Sequence, residues 1–122
     1  MIKKGFTLIE LIVVISIIAI LGGILVPKYA TYIIKAKTAK AEQIGRMIFV
    51  SSMRSYMVNG SFINTDVNLA ITDDINKENV QIFVNDTSDN GKTISENFHT
   101  DGDEYHVIVH GDSDTYELHK VN

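Results

Sequence analysis

The chain has 122 residues, 45% of them hydrophobic, a formal net charge of −4 and no cysteine. That length holds one compact domain plus one extended element. Without cysteine there is no disulfide staple, thiolate metal site or cysteine nucleophile, so any globular part is held by packing, sheet pairing or neighbours. The charge is split along the chain. Eight Lys and Arg against two Glu give residues 1–60 a net +6, while three against thirteen acidic residues give 61–122 a net −10. A basic, apolar first half suits a membrane surface, and an acidic second half repels nucleic-acid phosphates.

The first element is an apolar run from Phe6 to Val26, interrupted by Thr7, Glu10 and Ser16 among its glycines and hydrophobic residues. A helix of about 20 residues crosses the hydrocarbon core of a bilayer. Lys3 and Lys4 precede the run and place the N-terminus in the cytoplasm. A secretory signal would be shorter and end in a small-x-small cleavage site. None follows here: the run ends at Gly22, Gly23 and Pro27. A plain membrane anchor fits the length but does not explain Glu10, since a carboxylate in an apolar span costs roughly 2.5–3.5 kcal/mol on insertion scales and usually has a partner.

The stretch Lys3-Lys4-Gly5-Phe6-Thr7-Leu8-Ile9-Glu10, followed by the apolar run, resembles the class III signal of type IV prepilins and pseudopilins. The likeness covers Lys3 to Lys28 closely, the following helix loosely, and the C-terminal half not at all. It implies that a prepilin peptidase cuts after Gly5 on the cytoplasmic side, removing residues 1–5 as a leader. Phe6 then becomes the N-methylated first residue. Four residues on, Glu10 is a near neighbour of the Phe6 ammonium within one helix. The resemblance implies that it pairs instead with the terminal ammonium of an adjacent subunit, and that Pro27 corresponds to a proline lower in the same helix. The further partners implied are like subunits in a helical filament, an assembly platform and its motors. Gly22, Gly23 and Pro27 are weak helix formers placed together. They read either as a kink at the membrane surface or as a stretch that melts when the filament forms.

Beyond Pro27 the pattern turns amphipathic, with Ile34, Ala41, Ile44, Met47, Ile48 and Ser51 recurring at helical spacing. One helix is expected from Phe6 to Val58, stopped by Asn59-Gly60. Its halves are residues 6–27, for membrane and assembly, and residues 28–59, for packing. Residues 60–79 read as an αβ-loop with one helical turn near Val67–Ala70. Residues 80–122 read as an antiparallel sheet head with strands Val80–Asn85, Tyr105–His110 and Thr115–Val121. Asp86–Glu104 reads as a polar connection, with turns at Asp89–Gly91 and Asp101-Gly102 and with Ile94 and Phe98 as anchors. A tight turn at Gly111–Asp114 pairs His110 with Thr115, Val109 with Tyr116, Val107 with Leu118, and His106 with His119. Alternation then puts Tyr105, Val107, Val109, Tyr116 and Leu118 on the face that covers the helix. The fold class is α+β, a long helix packed by its C-terminal half on a small antiparallel sheet, as the type IV pilin likeness also implies.

His106 opposite His119 could share a metal, but a site needs three or four ligands. The acidic loops could attract calcium, yet no EF-hand spacing is present. No cofactor is expected. There is no Ser-His-Asp ordering, phosphate loop or H-E-x-x-H, so an enzyme is not expected. The reading is a major pilin of a type IV pilus, first a single-pass protein of the cytoplasmic membrane and then part of a surface filament for adhesion, motility or DNA uptake. The alternatives are a major pseudopilin of a type II secretion or competence system and a membrane-anchored binding module that never polymerises. The absent cysteine pair points to a Gram-positive source.

Overall fold

In the computed structural model, residues 2–75 and 80–121 are described. The first helix, α1, runs Leu8–Asn59 without a break in its assignment, Gly22, Gly23 and Pro27 included. The chain divides into two compact units, one ending at Ala36 and the other beginning at Lys37.

The first unit is a helix with no layer of its own to pack on. From Leu8 to Ile34 its large apolar side chains stand exposed, for example Leu8 at 76% and Val26 at 69%. Its few polar side chains are satisfied within the helix. The Ser16 hydroxyl donates to the Ile12 carbonyl at 2.7 Å, and the Thr31 hydroxyl donates to the Pro27 carbonyl at 3.2 Å. Pro27 has no N–H to offer the carbonyl four residues back, at Gly23. Where the sequence placed the helix start at Phe6, the helix begins two residues later, at Leu8.

The second unit is built around the last part of α1, where Ala41, Ile44, Gly45, Ile48, Ser51, Ser52 and Ser55 are buried at steps of three and four. Asn59 ends the helix as expected. Gly60 follows at φ +72°, the left-handed conformation of a helix C-terminus, and its N–H donates to the Tyr56 carbonyl at 2.8 Å. Residues 60–79 carry more than the single turn expected of a loop. A second helix, α2 (Asn64–Ile75), buries Val67, Ile71 and Ile75, one every turn. Ser51 donates to Asp74 at 2.7 Å and Arg54 approaches the same carboxylate at 3.4 Å, fastening α2 to α1. Part of the expected loop, residues 76–79, lies outside the described residues.

The sheet has four antiparallel strands in sequence order: β1 (Gln81–Ser88), β2 (Thr93–Thr100), β3 (Asp103–His110) and β4 (Thr115–Val121). The pairing foreseen for the last hairpin is present residue for residue, His106 opposite His119 and Val107 opposite Leu118 included. The expectation that Asp86–Glu104 is a connection is corrected, because it holds the end of β1 and all of β2. Asp101 and Gly102, at φ +52° and +85°, make the two-residue turn between β2 and β3 that the right-handed strand twist favours. Ile94 and Phe98 are fully buried, as anchors should be. Gly45 lets α1 come close to β4, where a side chain would touch Leu118, and Phe49 stacks on Tyr116 at 5.0 Å between ring centres.

Glu96 stands between those anchors, on the strand face that meets α1, and is wholly buried. Ser52 donates to its Oε1 at 2.9 Å, while Oε2 has no hydrogen-bond partner among the described residues. Burial disfavours the ionised form and raises its pKa from 4.5 to about 7, the Ser52 bond opposing this only in part. The unfolded chain releases this proton near 4.5, whereas the folded chain holds it until about 7. The folded state is therefore favoured in full below pH 4.5 and loses that advantage as pH rises to 7. The loss is on the order of 3 kcal/mol. Glu96→Gln should be more stable than the parent at pH 8, and urea melts from pH 4 to 8 should show a shallower decline for it. Equal slopes in parent and variant would refute the assignment. Gly111 offers a second test. Its N–H donates to the Lys92 carbonyl at 2.8 Å, and a Cβ there would run into the Tyr56 ring. Gly111→Ala should cost about 1–3 kcal/mol of stability in the same melts, the price of overpacking a tight site.

Candidate functional site: the N-terminal segment

Phe6 and Thr7 precede α1, and the helix opens on Leu8-Ile9-Glu10. Thr7 is therefore the N-cap residue and Glu10 the third residue of the helix, the spacing of a capping box. Both reciprocal bonds are present. The Thr7 N–H donates to Glu10 Oε2 at 2.8 Å, and the Glu10 N–H donates to Thr7 Oγ1 at 3.3 Å. Two of the four N–H groups that a helix start leaves unpaired are thereby satisfied.

The pair changes the picture of Glu10. A helix beginning at Phe6, as the sequence leads one to expect, would make the Phe6 nitrogen a near neighbour of Glu10, but Phe6 lies outside the helix and the local partner is the Thr7 amide. Glu10 Oε2 is held in a fixed direction, and Oε1 has no hydrogen bond among the described residues. The Thr-x-x-Glu signature of the box stands in the sequence at Thr7 and Glu10, overlapped by the cut-site motif. Around this carboxylate Phe6 is 95% exposed and Ile9 65%, and Phe6, Leu8, Ile9, Leu11, Val13 and Val14 line an open apolar surface. One charge, fixed in orientation and set in an apolar field, can either pair with a cation or carry a desolvation penalty of several kcal/mol when that field is covered.

The other sequence candidates are placed as follows. At Gly5, Gly22 and Gly23 an added side-chain carbon would meet nothing within 4 Å, so no contact inside the chain requires glycine there. His106 and His119 do face each other across β3 and β4. Glu117, however, takes up the neighbouring imidazoles, with His119 Nε2 at 3.2 Å and His110 Nε2 at 3.8 Å. Among the described residues no group of three or more His, Asp or Glu is arranged to hold a metal ion. By length and composition, α1 includes a segment apolar enough to cross a membrane, with none of that segment buried in the chain.

Residues 1–26 match the family model for the prokaryotic N-terminal methylation motif. The chain is similar to the type IV major alpha-pilin of Moraxella bovis, at 55% identity over 38 residues, 31% of this chain and 24% of that protein. It is similar to the type IV major fimbrial protein FimA of Dichelobacter nodosus, at 44% identity over 46 residues, 37% of this chain and 30% of that one. A fimbrial protein of Neisseria meningitidis serogroup A is 33% identical over 81 residues, 65% of this chain and 48% of that protein. The chain thus spans about a quarter to a half of the length of these curated relatives. No solved structure matches it. These relatives lend no support to the Gram-positive source suggested by the missing cysteines. The methylation motif and the fimbrial relatives make the chain similar to type IV pilins in its N-terminal part, and a long N-terminal helix before a small antiparallel sheet matches the α+β architecture expected of that resemblance.

Proposed function

We propose that the chain is a structural subunit that polymerises through the N-terminal part of α1 into a surface filament, a major pilin of a type IV pilus. The observation that carries this is the exposed apolar length of α1, opened by a carboxylate held in a capping box. An apolar surface of this extent is not left to water. Lipid covers it first, and like helices cover it afterwards. A role of this kind is structural, not catalytic, in keeping with the family.

The residues have the following parts. A prepilin peptidase cuts between Gly5 and Phe6, removing Lys3 and Lys4 and creating an ammonium on Phe6, which is then N-methylated. The Phe6–Thr7 peptide bond is untouched by the cut, so the capping box survives it. Glu10 keeps Oε2 on the Thr7 amide and offers Oε1 to the Phe6 ammonium of the next subunit. A subunit docked out of register would leave both charges desolvated and unpaired, which makes the pair a register device. Gly22, Gly23 and Pro27 supply the stretch where helix is cheapest to extend, because Gly and Pro are the weakest helix formers and one hydrogen bond is already missing at Pro27. The assembly platform and motors act on the subunit from the membrane, and the filament ends up outside the cell.

Electron microscopy of sheared surface material, with antibody to this chain, tests the reading. Long labelled filaments are expected. Short ones found only on overexpression would indicate a pseudopilin, and none at all, with the protein present in the membrane, a non-polymerising anchor. Mass spectrometry of the sheared subunit should give a chain that begins at methylated Phe6. Glu10→Ala should accumulate in the membrane yet give at least about a hundred-fold fewer filaments, since leaving one desolvated charge unpaired costs roughly 3–5 kcal/mol. Thr7→Ala keeps the charge but frees its direction, and loss of such a cap costs about 1 kcal/mol. Its filament yield should fall between parent and Glu10→Ala. Parental numbers for Glu10→Ala would remove the register device from the account.

A further inference from the structure

The lysines that follow the apolar run are not accounted for by export. On the N-terminal side of the run stand Lys3 and Lys4, while Lys28, Lys35, Lys37 and Lys40 follow within a short distance on the other side. Orientation by positive charge favours the more basic flank on the cytoplasmic side, so the lysine count works against exporting the head. A chain that carries this cost has a use for those cations outside.

The four lysines are not alike. Lys37 donates to the Asp101 carbonyl at 3.3 Å, and Lys40 pairs with the Asp101 carboxylate at 3.3 Å, both fastening the β2–β3 turn to α1. Lys28 and Lys35 have no ion pair among the described residues and are exposed. They are seven residues apart, on one face of the helix, with Tyr32 between them and Tyr29 beside. Tyr29 is 67% exposed and Tyr32 65%, and with Leu25 and Val26 they line an open apolar recess beside Lys28.

We infer that this stripe, Lys28, Tyr29, Tyr32 and Lys35, docks on anionic lipid headgroups at the outer surface of the membrane before the subunit joins a filament. The inference rests on the membrane-spanning reading of the preceding segment. Depth supports it. The helix rises about 30 Å between Leu8 and Lys28, the thickness of the hydrocarbon core, so the stripe emerges at headgroup level. Chemistry supports it as well. Tyrosine rings sit at the membrane–water boundary, apolar body inward and hydroxyl outward, and lysine stems lie along apolar surface while their ammonium groups reach phosphate. The acidic head of a second copy would satisfy the lysines, but it gives no reason for two tyrosines continuous with the apolar run. Lipid accounts for both. The stripe would set the depth at which the subunit waits and would be released when neighbouring helices replace lipid.

The test uses the full-length chain, whose lack of cysteine allows a single fluorophore at Ala36→Cys, an exposed position on the same side of the helix. The labelled protein is reconstituted in phosphatidylcholine vesicles containing a minor fraction of phosphatidylglycerol, with either lipid brominated high on its acyl chains. Brominated phosphatidylglycerol should quench the label more strongly than its share of the bilayer predicts. K28Q/K35Q should lose this enrichment, by roughly five-fold per lysine removed, and K37Q/K40Q should retain it. Equal quenching by the two lipids in the parent, with the chain still resisting alkaline extraction, would overturn the headgroup site and leave the spanning reading intact. Extraction of the parent by alkali would overturn both. Enrichment retained in full by K28Q/K35Q would also overturn the assignment of the site to these two lysines.

Discussion

From Leu8 to Ile33 the chain makes a helix whose large apolar side chains stand exposed, and most other features follow from what must cover them. At roughly 25 cal/mol per Å² such a surface strongly favours transfer out of water. Lipid and a bundle of like helices are both apolar, so one surface serves both states. The hydrophobic effect therefore does not choose between membrane and filament. Polar atoms have to make that choice.

Those polar atoms are few and nearly all spoken for. Ser16 and Thr31 return their hydroxyl protons to carbonyls one turn back, so neither demands a partner from outside. Glu10 differs. Thr7 fixes one of its oxygens and leaves the other open, so the carboxylate has a direction before it has a second partner. A group prepared in this way loses less entropy on pairing than a freely rotating one. At the other end of the span, Lys28 and Lys35 are exposed and have two tyrosines beside them, which is why we place them at a polar layer. Charge at both ends and none between is, on this proposal, what would hold the helix at one depth and later in one register.

The head shows how far a sequence can be read and where reading fails. The last hairpin was legible because its turn fixes the register and its apolar residues alternate strictly, so one count from Gly111–Asp114 gave every pair. β2 was not, because its inward positions are Ile94, Glu96, Phe98 and Thr100, and a glutamate at a core position breaks the alternation that marks a strand. That residue is tolerated only as a partnered, largely neutral acid at low pH, a property of the packing against Ser52 and invisible in the sequence. α2 was hidden similarly. Val67, Ile71 and Ile75 are spaced one turn apart, but the Asn, Asp and Thr residues around them are poor helix formers, and tertiary contacts outweigh propensity there. In the N-terminal segment the motif itself was legible. The role of Thr7 was less so, because the capping box lies wholly within the longer stretch that reads as a processing signal.

The central claim is that the exposed helix is covered by copies of itself with Glu10 facing a neighbouring N-terminus. A cryo-electron microscopy reconstruction of the sheared filament tests it most directly. The account predicts a core of α1 helices in which each Glu10 carboxylate lies within about 4 Å of the Phe6 nitrogen of an adjacent subunit. A filament held together through its sheet heads, with residues 8–34 on the outside or Glu10 bonded only to its own Thr7, would contradict it.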